Sequence, residues 1–516
     1  MLKGFLTVSG WTMISRVLGL VRDQLLAALL GAGAAQDAYQ IACRLPNMFR
    51  RLFGEGALNA AFVPLFSSLL EREGKDTAQR FANETMSVLL SWLLLLTVLG
   101  EVFMPGVLHV IAPGFTHGDL RDSLAISLSR ITFPYLFLIC GAALVAGVLN
   151  GMHHFGVAAA AYVSFNVVGI ASIMLLPRLT GDVAHAAAWG VSASGVIQFA
   201  ILLYAARRAG MRLRLVAPCV TPRIRTLLGR MGVGLVGSGI TQINFMVDTI
   251  IATLLPAGSV SLMYFADRVN QLPLGVLGAA AGTTLLPVLT RSLAAGDLAG
   301  AHATQNRAIS YALILTLPAA AGLLVIAAPV MMALFGHGHF SARDAVLAAQ
   351  SLRAYAVGLP AFVLVKVLAP GFFARGDTRT PVLVGTATLV LNFILNVSFM
   401  RWLAHIGPPL ASSLAAMVNA GALAFLLRRR GALVSDPVLG RQLAGMVGCA
   451  ALMALGLFGM EYTPLGGAMT AGPLMRLVDV GVMIVVGMGL YLAGLHMTGV
   501  ADMRQVAGAI TRRLRR

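Results

Sequence analysis

Residues 5–30 read FLTVSGWTMISRVLGLVRDQLLAALL, and they decide the fold. A helix needs roughly 20 mostly apolar residues to cross a bilayer, and this stretch is long enough. Yet Arg16, Arg22 and Asp23 stand near its middle. A cation at the bilayer centre costs about 3 kcal/mol on insertion scales. It persists where it faces a protein-lined aqueous cavity. Arg44, Arg50, Arg51, Arg130, Arg268, Arg353 and Lys366 repeat the pattern inside other apolar segments. These residues point to a membrane transporter with a cationic interior, suited to an anionic substrate. The first segment is too long and too polar at its centre for a cleavable signal peptide, so it is expected to remain as the first span.

Composition agrees. The chain of 516 residues is 58% hydrophobic and 11% charged, with a mean hydropathy of +0.84. Fourteen apolar segments long enough to span fall between residues 5 and 498. With no water in the hydrocarbon, the spans must be helices; a barrel would give short alternating segments. The net charge of +18 invites a nucleic-acid reading, but its distribution argues otherwise. Given a cytoplasmic N-terminus and fourteen spans, 24 of the 38 Lys and Arg residues face the cytoplasm. Only Arg121, Arg178, Arg343, Arg401 and Arg476 face the other side. This positive-inside bias orients the chain and places both termini in the cytoplasm. The four cysteines are scattered, with no CxxC and no disulfide framework.

An internal repeat runs through the chain. Ala57–Phe66, with Pro64, recurs as Ala280–Leu289, with Pro287. Asn83 and Asn306 follow at the same offset of 223, and Pro134 and Asn166 match Pro360 and Asn392 at 226. The expected organisation is an N-lobe of six spans (1–206), a basic linker (207–225) and a C-lobe of six spans (226–430). Two unpaired spans (431–500) and a basic tail (501–516) follow. Both copies enter the membrane from the same side, so the repeats are parallel.

Four constellations carry chemistry. Arg16 and Arg22 flank Gly19, with Asp23 beside Arg22; an intramembrane salt bridge is the alternative reading. In the second, Asn47, Arg51 and Glu55 follow at i,i+4 spacing and share a helix face, with Asp37 upstream and Arg50 turned away. Guanidinium forks bind phosphate oxygens in pairs, which an ammonium cannot do. The third is Ala266-Asp267-Arg268, opening span eight. The fourth is Asp248 with Asn392 and Asn396: an oxygen set for Na⁺, or simply interhelical hydrogen bonding. There is no GxxxxGK[ST] and no HExxH, and the histidines form no metal-like set.

The runs Ser15-Arg16-Val-Leu-Gly-Leu-Val-Arg22-Asp23, Gly31-Ala-Gly-Ala-Ala-Gln-Asp37-Ala-Tyr and Arg44-Leu-Pro-Asn47-Met-Phe-Arg50-Arg51-Leu-Phe-Gly-Glu55-Gly-Ala closely resemble the MurJ (MviN) lipid II flippases. Ala266-Asp267-Arg268 and Gly371-Phe-Phe-Ala-Arg-Gly-Asp377-Thr-Arg-Thr-Pro381 resemble later signatures of the same family. The resemblance implies membership of the multidrug/oligosaccharidyl-lipid/polysaccharide exporter superfamily. It implies an all-α polytopic protein with two pseudo-symmetric six-helix lobes around a central cationic cavity. It implies movement of lipid II, an undecaprenyl-diphosphate-linked disaccharide peptide, from the inner to the outer leaflet of the bacterial cytoplasmic membrane by alternating access. Carried over by motif, the substrate-binding residues are Arg16, Arg22, Asp23, Asp37, Asn47, Arg50, Glu55 and Arg268. Some members bind Na⁺ at places that Asp248, Asn392 and Asn396 occupy here, although Asn396 stands where that pattern has a carboxylate. The two extra spans are expected to form a groove for the polyprenyl tail, lined by Gly448, Gly456 and Gly487. Cell wall synthesis proteins are the candidate protein partners, and a monomer is expected.

Competing classes fit less well. A drug or cation antiporter on the same fold needs acidic cavity residues, whereas arginine is concentrated here. A glycosyl- or phosphotransferase needs a sizeable soluble loop with an acidic or metal site. A scaffold has no use for arginines inside the bilayer.

Overall fold

In the computed structural model the described residues are 2–52, 58–116, 118–434, 437–461 and 472–499. Glu55, its neighbours Gly54 and Gly56, and the basic tail 501–516 lie outside them. The described chain is built of helices joined by turns: α1 (Leu2–Leu30), α2 (Ala34–Phe49), α3 (Asn59–Arg72), α4 (Lys75–Val102), α5 (Met104–Ile111), α6 (Leu120–Thr132), α7 (Tyr135–Gly151), α8 (Phe155–Leu175) and α9 (Pro177–Thr180). Then come α10 (Val183–Arg208), α11 (Pro222–Thr253), α12 (Ser259–Ala294), α13 (Leu298–Phe335), α14 (Ala342–Phe373), α15 (Arg379–Leu403), α16 (Gly407–Arg429), α17 (Pro437–Glu461) and α18 (Pro473–Met497). Among the described residues the expected apolar segments fall on helix, broken by turns at Phe103 and at 133–134. Among the described residues, nine stretches are long and apolar enough to cross a membrane; one of them, Arg379–Arg429, contains both α15 and α16.

Helix ends are fixed where the chain meets water. Asp182 caps α10, Thr221 caps α11 ahead of Pro222, and Ser341 and Asp344 form a capping box on α14. The turns carry the duplication. Positive-φ residues recur in pairs: Gly31 and Gly258, Gly74 and Gly296, Gly118 and Gly338, His153 and Gly376, Gly181 and Ala404, Gly210 and Gly431. Each pair is separated by 220 to 227 residues. A left-handed turn is a backbone requirement, so it is kept through a duplication even where the side chains diverge.

The chain divides into two compact units, Met1–Ser261 and Leu262–Arg516. In the first, α1 packs on α8, α8 on α10, and α10 on α6 and α7, while α11 packs on α3, α4 and α5. The buried rings of Phe62, Phe66 and Phe81 stack at 5.5 Å. In the second, α14 packs between α13 and α16, α15 packs on α16, and the extra helices α17 and α18 lie against α13.

The basic linker is extended along α4. Gln79 donates to the Arg212 carbonyl at 3.0 Å, the Arg214 N–H to Asn83 at 2.9 Å, and the Val216 N–H to Ser87 at 2.8 Å. Four helical residues rise about 6 Å, and two extended residues rise about 6.6 Å. Steps of four on the helix therefore meet steps of two on the strap. In the second unit Asn306, the counterpart of Asn83 in the sequence repeat, donates to the Val434 carbonyl beyond α16 at 3.0 Å. Likewise Ser192 donates to the Ile131 carbonyl and Ser413 to that of Ala354.

Two expectations change. Gly456 and Gly487 do not line an open groove. A Cβ on Gly456 would meet Leu490 at 2.7 Å, and one on Gly487 would meet Leu457 at 3.2 Å. The two glycines let α17 and α18 approach closely. Of the three groove glycines, Gly448 alone has open space within 4 Å. Arg353, read from sequence as a cavity cation, has a structural task instead. Its Nε donates to the Leu324 carbonyl at 3.0 Å, beside the break at Ile326 in α13. The non-helical backbone at Ile326 interrupts the helix hydrogen bonds and leaves carbonyls to satisfy.

Candidate functional site

The site residues of the first unit begin with Arg22 and Asp23 on α1, which form a buried ion pair. Nη2 of Arg22 lies 2.8 Å from Oδ1 of Asp23, and Nε lies 3.2 Å from the same oxygen. Asp23 is fully buried and Arg22 is 8% exposed. The guanidinium lies over the Phe165 ring of α8, 5.1 Å from its centre. Asn166, next to Phe165, donates to the carbonyl and hydroxyl of Ser15 at 2.8 and 3.1 Å. This ties α8 to the turn of α1 that carries Arg16. Arg16 itself is exposed.

Asp37 sits in the first turn of α2 and is fully buried. Its carboxylate accepts from the Gly258 N–H at 2.6 Å, the Ser261 N–H at 2.8 Å and the Ser261 hydroxyl. It therefore caps the start of α12, where unmade N–H groups and the positive end of the helix dipole favour an anion. Both carboxylate oxygens are occupied by this task.

Farther along α2, Arg44 reaches α11. It donates to the Thr249 hydroxyl at 2.7 Å and the Phe245 carbonyl at 3.2 Å. The Phe245 ring also receives Arg51, at 5.6 Å from its centre. Asn47 donates to the Cys43 carbonyl at 2.9 Å, and its oxygen accepts from Nε of Arg50 at 3.4 Å. The sequence spacing pairs Asn47 with Arg51, but the structure joins it to Arg50. The reason is local: the backbone widens into a π turn over residues 50–52, so the i,i+4 register does not continue.

In the second unit, Arg268 on α12 is half-buried, its guanidinium 6.0 Å from the centre of the Tyr264 ring. Asn392 and Asn396 are buried on α15, where the Asn396 amide donates to the backbone and side-chain oxygens of Asn392 at 3.0 and 3.2 Å. A cation bound by both amide oxygens would require the Asn396 amide to turn over. Asp248 belongs to the first unit and is half-buried on α11. Among the described residues no three His, Cys, Asp or Glu side chains gather as a metal site does.

A second polar cluster lies in the loop between α14 and α15, inside the Gly371–Pro381 motif. Asp377 accepts from the Thr380 hydroxyl at 2.6 Å and from Nη1 of Arg430. Arg430 also donates to the Thr380 hydroxyl at 3.0 Å and lies over the Phe372 ring. The Thr380 hydroxyl, then Arg430, hold the Asp377 carboxyl well below the usual carboxylate range. Arg430 belongs by sequence to the basic residues of the cytoplasmic side, and the fold also gives it a partner.

What the arrangement offers chemically is a guanidinium held inside α1 by a neighbouring carboxylate, with more arginines on and just beyond the next helix. It has the makings of an anion site.

Comparison with known proteins follows the same lines. A family model described as lipid II flippase MurJ matches residues 26–469. A probable lipid II flippase MurJ of Rhizobium meliloti is 42% identical over 463 residues, covering 89% of this chain and 86% of the relative. One of Rhizobium tropici is 38% identical over 522 residues, covering 100% and 97%. A lipid II flippase MurJ of Burkholderia cenocepacia is 33% identical over 508 residues, covering 96% and 97%. Among solved structures, a lipid II flippase MurJ in an inward closed conformation superposes with a TM-score of 0.79 at 23% identity, covering 99% and 100%. An inward-facing MATE family multidrug transporter superposes at 0.69 and 17% identity, covering 83% and 98%. The structural matches establish a shared fold.

Proposed function

The chain belongs to the lipid II flippase MurJ family, and from that premise we propose that it carries lipid II across the bacterial inner membrane with the Arg22–Asp23 pair at the centre of its headgroup site. It is a multi-pass transporter, not an enzyme. The observation that carries the site assignment is the buried ion pair within α1. Lipid II presents a diphosphate and a peptide carboxylate, and a guanidinium fork grips such oxygens in pairs. In the empty protein Asp23 neutralises Arg22, so that the cavity is not a bare cation in a medium of low dielectric constant. The diphosphate then replaces the carboxylate as the partner.

Arg16, Asn47, Arg50, Glu55 and Arg268 complete the proposed headgroup site, and Asp37 is its anchor at the start of α12. The proposal extends to fourteen crossings with both termini in the cytoplasm, six-span lobes at 1–206 and 226–430 with the 207–225 linker between them, and inner-to-outer movement by alternating access. It takes spans thirteen and fourteen for the polyprenyl tail, and a monomer that meets cell wall synthesis proteins. Asp248, Asn392 and Asn396 are the candidate ligands of a coupling Na⁺; replacing Na⁺ by choline in a flux assay tests them.

The decisive experiment is depletion of the native flippase followed by a leaflet-resolved assay of lipid II in cells expressing this chain. Wild-type protein restores outer-leaflet lipid II. Arg22→Ala and Arg268→Ala, present at normal levels, are expected to abolish it, and Arg22→Lys to restore little because the fork is lost. Full restoration by Arg22→Ala removes Arg22 from the site.

A further inference from the structure

We propose that Phe165 and Gly169 of α8 are positioning residues for Arg22, shaping its guanidinium for the substrate; the inference rests on the reading of Arg22 as a headgroup contact. The argument starts from helix geometry. Neighbouring residues on a helix diverge by about 100° and do not face each other. Arg22 and Asp23 are neighbours on α1, yet they form a close ion pair. Arg22 must therefore bend sideways along α1 to reach Asp23. The bend needs room, and Gly169 supplies it. A Cβ at Gly169 would lie 3.1 Å from Cδ of Arg22, tighter than ordinary contact. One turn earlier on α8, Phe165 puts its ring against the guanidinium, 5.1 Å from centre to Cζ. A gap at one position and a ring at i−4 thus form a seat, and both lie on the face of α8 that packs on α1.

The register of this face is fixed independently. Asn166 donates to the Ser15 carbonyl and hydroxyl, and Gly169 also passes close to Gly190 of α10, whose added Cβ would lie 3.5 Å from the Gly169 Cα. α8 is thus clamped between α1 and α10. The guanidinium thus rests against a ring carried by a helix packed on both sides. A ring face attracts the cation electrostatically and leaves the N–H groups for oxygen partners. Holding a fork in a single plane is what two-point recognition of a diphosphate requires.

The test measures binding of a fluorescent lipid II to the purified full chain in nanodiscs, alongside its melting temperature. Phe165→Leu keeps an apolar side chain but removes the ring face. It is expected to weaken binding roughly tenfold, the scale of a desolvated cation–π contact, and to lower the melting temperature somewhat, because the ring also packs on Tyr135 at 5.7 Å; binding is therefore read well below the melting temperature of the variant. Phe165→Tyr restores the face and is expected to bind within about twofold of wild type. Gly169→Ala pushes Arg22 aside by a few tenths of an ångström and is expected to weaken binding as well. Arg22→Ala serves as the control for the underlying reading. Wild-type binding by Arg22→Ala overturns the headgroup assignment and the seat with it. Loss with Arg22→Ala but wild-type binding by both Phe165→Leu and Gly169→Ala overturns the seat alone. If Gly169→Ala fails to fold, the contrast of Phe165→Leu with Phe165→Tyr still decides, and equal weakening by both overturns the role of the ring.

Discussion

Removing the Asp23 carboxylate leaves Arg22 buried beside a missing partner. At 2.8 Å and an effective dielectric constant of 20, two unit charges attract by about 6 kcal/mol. Desolvation cancels part of that in the intact pair. Deleting one partner of a buried pair nonetheless costs roughly 3–5 kcal/mol, because the other charge stays behind uncompensated. Asp23→Ala is therefore expected to lower the melting temperature in detergent markedly and to reduce membrane-inserted protein. The double variant Arg22→Leu/Asp23→Leu removes both charges and puts apolar volume in their place. It is expected to melt nearer to wild type than either single variant does, while transporting nothing. The assay is a four-protein cycle read by fluorescence-detected unfolding, with complementation measured in parallel. A coupling of about 2 kcal/mol or more supports the reasoning. Wild-type melting by Asp23→Ala, or losses that simply add, would refute it.

Other outcomes follow from the same geometry. Asp37→Ala removes the cap from the start of α12 and is expected to destabilise by about 2 kcal/mol, with Asp37→Asn intermediate, as read by thermal unfolding. Arg430→Ala is expected to cost about 1 kcal/mol through lost contacts with Asp377, Thr380 and Phe372, whereas Arg428→Ala, also exposed, should stay within about 0.5 kcal/mol. Because the folded-state pKa of Asp377 is lowered below 3.8, its stabilisation is present above that value and fades as pH falls through the folded pKa. Acid titration of Arg430→Ala should therefore show a smaller loss over that range than wild type. Gly456→Trp and Gly487→Trp, which push into Leu490 and Leu457, are expected to lower the melting temperature, while Gly448→Trp leaves it unchanged; normal melting of the first two would dissolve the packed α17–α18 interface.

Much was legible in the order of residues alone. Long apolar runs admit one backbone solution in a bilayer, because unpaired N–H and C=O groups are intolerable there. Helical architecture therefore followed from composition and segment length. A repeat was legible in spaced prolines and asparagines, and of these Asn83 bonds the Arg214 N–H and Asn306 the Val434 carbonyl. The arginine-rich runs of the first two spans carried the family resemblance, which the family match then bore out.

The tertiary structure decided which charge meets which partner. Sequence spacing gave Asn47 to Arg51, but a π turn at 50–52 passed it to Arg50. Arg353 and Arg430 looked like any other intramembrane or loop cation until a broken helix and the turn before α15 supplied their acceptors. Nothing in the spacing of α8 marked Phe165 or Gly169, since their meaning depends on a helix more than 140 residues earlier in the chain. The physical reason is one of range. The bilayer acts on each residue separately, so its demand for apolar, hydrogen-bonded helix is written locally. Pairing of charges depends on side-chain direction to within a few tenths of an ångström, and that is set only when distant helices pack.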